Sequence, residues 1–130
     1  LVAMLIFSIG VLGLVGLQAS MTKAQTGSKY RADAGFLAQR LIGSMWIDRN
    51  GLDNYDTGGA CNSHARCSQW LAEVASALPG GAAEIAVTTL PGGTTAGVVT
   101  AAEVAITINW TQPGEETHRY TTVSAVASTQ

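Results

Sequence analysis

Cys61 and Cys67, with five residues between them and His64 in that interval, are the side chains in this sequence most suited to bond-making chemistry. Two outcomes fit the spacing. One is a disulfide closing a small ring; the other is a metal site in which two thiolates and His64 take three positions. The disulfide is the expected one, because an even cysteine pair in a short loop, in a chain with a membrane or export segment, points to an oxidising compartment. The metal alternative has only His118, far along the chain, as a fourth ligand. A ring of that size should contribute about 2–3 kcal/mol by restricting the unfolded chain. Asp53 and Asp56 lack the central glycine and distal glutamate of a calcium loop, so calcium is no better supported than zinc.

The remaining candidates for catalysis are weaker. Ser63 and His64 are neighbours with no acid placed beside them by sequence, and His118 next to Arg119 in a strand-like run is expected to face solvent. Glu115 and Glu116 are paired carboxylates in an expected turn. Asn109, Trp110 and Thr111 spell a glycosylation acceptor inside an expected strand, a triplet common by chance. There is no phosphate-binding glycine loop, no strand-to-helix nucleophile elbow and no metalloprotease helix. The expectation is therefore a protein that is not an enzyme and takes no cofactor and no metal. A net charge of −2 with only 12% charged residues gives no basic footprint for nucleic acid and no acidic tail, so bulk charge does not choose the partners.

What must hold these residues is a chain of two characters. From Leu1 to Leu17 nothing is more polar than Ser8 and three glycines. As a helix that stretch spans about 25 Å, slightly short of the roughly 30 Å bilayer core, so the apolar segment is expected to continue upstream. Leu1, Leu5, Ile9, Leu12, Gly13, Gly16 and Leu17 are its expected packing residues, in lipid or in a bundle of helices. Gly10, Gly13 and Gly16 favour close helix contact and also make this the softest part of the helix.

The helix is expected to continue. Tyr30, Ala34, Leu37, Leu41 and Met45 recur at spacings of three and four and should pack on a soluble head, with the stop at Asp48, Arg49, Asn50 and Gly51. Gly51–Ser68 reads as a loop and Gln69–Leu78 as a short amphipathic helix stopped by Pro79, Gly80 and Gly81. Three strands follow at Ala83–Thr89, Glu103–Trp110 and Thr117–Val126, the last two joined through Gln112–Glu115, with Leu90–Ala101 as a flexible connection. The expected fold is α+β, a long N-terminal helix with its apolar half protruding and its second half on a small antiparallel sheet. The divisions are 1–22 for the apolar half, 23–50 for the amphipathic half and 51–130 for the head.

These residues carry a resemblance. LVAMLIFSIGVLGLVGLQ, Leu1 to Gln18, resembles the apolar helix of type IV prepilins just downstream of the processing site, and AGFLAQRLIGSMWIDR, Ala34 to Arg49, is similar to the amphipathic half of minor pilins of the PilV kind. The likeness covers about the first fifty residues. The leader cleavage site and the assembly glutamate of that family have no counterpart here, so no processing residue is carried over. The resemblance implies a type IV pilin fold and a low-abundance subunit that primes or caps a pilus, serving adhesion, twitching motility or DNA uptake. Its implied partners are other minor pilins, the major pilin and the inner-membrane assembly platform. Its implied location is the inner membrane with the head in the periplasm, then the extracellular pilus. In a filament, the glycine-interrupted stretch is expected either to pack closely or to melt on leaving the lipid.

Two further readings stay open: a minor pseudopilin of a type II secretion system, which uses the same helix, and a tip module whose head, with Tyr55 and Arg66 in its loop, acts as an adhesin or DNA receptor. Lys23, Lys29 and Arg31 just beyond the apolar stretch argue for a cytoplasmic head by the positive-inside rule. The cysteine pair argues for the opposite side, and a basic leader would restore the balance.

Overall fold

The computed structural model describes residues 1–127. In chain order the elements are α1 (Val2–Ile47), α2 (Ala65–Ala77), and strands β1 (Ala82–Thr89), β2 (Thr94–Thr95), β3 (Val98–Val99), β4 (Ala101–Thr111) and β5 (Thr117–Ala127), with 3₁₀ turns at Leu52–Tyr55 and Cys61–Ser63. The chain divides into two compact units at Ala32/Asp33.

The first unit is the N-terminal part of α1. Three of its hydroxyls are satisfied within the helix: those of Ser8, Thr22 and Thr26 donate to the carbonyls four residues back, of Met4, Gln18 and Thr22, each at 2.9 Å. That arrangement lets a helix carry hydroxyls without needing water.

The second unit is built on the central strand β4. Its alternation puts Ala102, Val104, Ile106, Ile108 and Trp110 in the core, while Glu103 and Thr111 face outward. β1 and β5 flank it, both antiparallel, in the order β1-β4-β5. Ile85 of β1 stands opposite Ile106, and Tyr120 of β5 opposite Ile108. The apolar stripe of α1 from Ala34 onward and Trp70, Val74 and Leu78 complete the core. The Trp70 indole N–H donates to the Leu37 carbonyl at 2.8 Å, which satisfies its buried polar atom and joins α2 to α1.

Two glycines set the chain's path. Gly51 has φ +110°, which turns the chain out of α1 in a conformation open to glycine. At Gly81 a Cβ would run into the Val74 carbonyl, so only glycine lets the chain leave α2 toward β1.

Three expectations are corrected. The segment Gly51–Ser68 is not a plain loop, because it holds two 3₁₀ turns and the first turn of α2. The second helix covers Ala65–Ala77 rather than Gln69–Leu78, its early residues being held by the disulfide and by His64, the residue that precedes the helix. Leu90–Ala101 carries secondary structure of its own. Thr94–Thr95 and Val98–Val99 pair as a small hairpin, turned by Ala96 and Gly97 at φ +52° and +81°.

Candidate interaction surfaces

The largest feature available for contact is apolar. An 18-residue window of α1 has a mean hydropathy of 2.2 and none of it is buried, so this helix is long and apolar enough to cross a membrane. Leu1, Leu5, Ile9, Leu12, Gly13, Gly16 and Leu17 all lie exposed on it, and nothing stands near Gly10, Gly13 or Gly16. A leucine or isoleucine side chain left in water forfeits about 1.5–3 kcal/mol relative to burial, and a contiguous apolar surface of this kind is typical of membrane or protein contact sites.

Further along the helix the exposure changes by face. Ala34, Leu37, Leu41 and Met45 are buried, as is Ala38, which lies on the same stripe, four residues after Ala34 and three before Leu41. Tyr30 is partly exposed. On the other side, Phe36, Trp46 and Ile47 remain exposed.

Cys61 and Cys67 are joined by a disulfide. With both sulfurs bonded to each other, the Cys61–His64–Cys67 cluster offers a metal His64 alone. His64 does have an acid beside it, contrary to the sequence reading: its Nε2 lies 3.3 Å from Asp48 Oδ2. Asp48 arrives from just past the end of α1, a neighbour no local spacing reveals. The same oxygen accepts the Tyr55 hydroxyl at 3.2 Å, and the Tyr55 and His64 rings meet edge-on with centroids 4.7 Å apart. A carboxylate only accepts, so the Tyr55 hydroxyl is the donor to Asp48, and among the described residues His64 Nδ1 is a buried nitrogen without a partner. Burial first, and then the charge of Asp48, push the Tyr55 hydroxyl up to about 12. Tyr55 is fully buried, so it is unavailable as the binding aromatic of a tip module.

His118 is not free in solvent either. It is half-buried, its ring stacks on Trp110 with centroids 5.7 Å apart, and its Nε2 lies 3.1 Å from Glu115. That ties down the turn between β4 and β5. Asn109 accepts from Arg119 at 3.3 Å across the same strand pair. Asp56 caps its own loop, its two oxygens accepting from the Gly58 and Val87 amides at 2.8 and 3.0 Å. An open groove of about 310 Å³ runs between α1 and α2, lined by Arg40, Arg66, Glu73, Ile47 and the edge of Trp70. Arg40 is held by Glu73 at 2.8 Å.

No family model, curated protein or solved structure matches the chain. The architecture itself is the α+β layout of type IV pilin-like folds, a long N-terminal helix with a small antiparallel sheet.

Proposed function

We propose that this chain is a structural, non-enzymatic subunit of a type IV pilus, of the minor-pilin kind. Its N-terminal helix anchors it in the inner membrane before assembly and packs among other subunits afterward. The observation that carries this reading is one unbroken helix with two surfaces. Its first part is apolar and wholly unburied, and its second part buries Ala34, Leu37, Leu41 and Met45 in a disulfide-bearing head. A helix of that kind needs lipid at one stage and protein at another, which suits a subunit that moves from membrane to filament. The disulfide supports a periplasmic head. Other minor pilins, the major pilin and the assembly platform are the proposed partners.

Deleting the gene in its host and counting surface pili by electron microscopy, in normal and retraction-deficient cells, tests the proposal. Fewer pili with normal protein secretion is the expected result. Normal pili with failed secretion would instead assign the chain to a type II secretion filament.

A further inference from the structure

We propose that Lys23, Lys29 and Arg31 form a cationic collar that binds anionic phospholipid headgroups at the membrane face nearest the head. The inference rests on the membrane-anchored reading above and adds a lipid class to it. Residues 1–32 contain three cations and no carboxylate, whereas the other four cations share the remainder of the chain with all nine carboxylates. Among the described residues none of the three is in an ion pair, and Lys29 Nζ lies 6.0 Å from the centroid of the Tyr30 ring.

Two geometric facts favour a lipid surface over a protein partner. At about 100° per residue, Lys29 and Arg31 are rotated about 240° and 80° from Lys23, so Lys23 and Arg31 lie toward one side, Lys29 lies on another, and no single face holds all three. A docked protein touches one side of a helix, while a membrane plane meets every side. Along the axis, Lys23, Lys29 and Arg31 stand about 9, 18 and 21 Å beyond Leu17, the last residue of the apolar stretch. The headgroup layer is roughly 5–8 Å deep. Helix side chains lean back toward the N-terminus, and screening extends about 8 Å at physiological salt. Lys23 therefore reaches the headgroups directly, and Lys29 and Arg31 act across a thin water layer with decreasing effect.

The test reconstitutes the full-length chain in phosphatidylcholine bilayers and measures, by electron spin resonance, the association of spin-labelled phosphatidylglycerol relative to spin-labelled phosphatidylcholine. A lipid beside the helix meets one cation at a time, so a preference of about fivefold is expected at moderate salt. Lys23→Gln should remove the largest share, Arg31→Gln the smallest, and the triple variant should bring the ratio to about one. Equal association of the two lipids in the unaltered chain, or a preference that survives the triple substitution, overturns the collar while leaving the anchor intact. Loss of self-association in the triple variant without any lipid preference overturns it in favour of the acidic head of a second copy. Failure of the chain to enter neutral bilayers overturns the anchored reading and the collar together.

Discussion

Tyr55 donates its hydroxyl to Asp48 across 3.2 Å, and so joins the 3₁₀ turn after α1 to the residue that ends the helix. His64 Nε2 meets the same carboxylate oxygen at 3.3 Å, which adds the start of α2 to the junction. One carboxylate thus links the end of α1, the first 3₁₀ turn and the residue that precedes α2.

This junction predicts an alkaline weakening of the fold. The unfolded tyrosine ionises at about 10 and the folded one at about 12, so the neutral form is favoured by folding. The stabilisation is fully present below pH 10 and is lost as pH rises toward 12, by about 2–3 kcal/mol. Urea unfolding followed from pH 9 to 12 should show that slope in the unaltered protein and its loss in Tyr55→Phe. The variant should also be about 1–2 kcal/mol less stable at neutral pH, where Asp48 loses a donor.

The two faces of α1 should respond differently to truncation. Leu41 is 1% exposed and Phe36 66% exposed, so Leu41→Ala is expected to destabilise by about 2–5 kcal/mol and Phe36→Ala by less than about 0.5 kcal/mol. Thermal unfolding in detergent checks both.

Reducing the Cys61–Cys67 bond, or replacing both residues with alanine, should lower stability by about 2 kcal/mol, the entropy of so small a ring. Because Cys67 lies in the first turn of α2, the loss should fall on that end of the helix. Hydrogen exchange should therefore rise first at Ala65–Trp70.

The long helix and the three main strands were readable in the sequence, because unbroken apolarity, a 3.6-residue stripe and period-two alternation each leave a local trace. The α+β class followed from them. The start of α2 was not readable, since Ala65–Ser68 follow an Asn-, Ser- and His-containing stretch whose composition is that of a loop, and the disulfide that ties Cys67 to Cys61 is not a periodic signal. The Thr94–Val99 hairpin was hidden for a similar reason: two residues on each side leave no alternation to count. The Asp48–Tyr55–His64 junction and the Trp110–His118 stack lie within short stretches of chain, but they depend on turn geometry that no count of hydrophobic period reveals. Of the contact surfaces, the apolar helix was legible from length and hydropathy alone, whereas the groove between α1 and α2 exists only once the helices are packed.

Ala96 offers a test of that hairpin. It holds φ +52°, a conformation that an alanine adopts at about 1–2 kcal/mol per residue and a glycine at almost none. Ala96→Gly should therefore leave stability unchanged or raise it by up to about 1 kcal/mol despite the extra freedom of the unfolded chain. A substantial loss would mean that the turn is not left-handed.

The claim at the centre of this account is that the apolar helix carries the chain into a filament. Shearing pili from the host and probing the washed filaments for head peptides by mass spectrometry addresses it most directly, with a Leu12→Arg chain as the comparison. The account predicts head peptides at low abundance in pili from cells with the unaltered chain, and none from cells with Leu12→Arg. Finding the unaltered chain only in the membrane fraction, beside pili of normal number and composition, would contradict it.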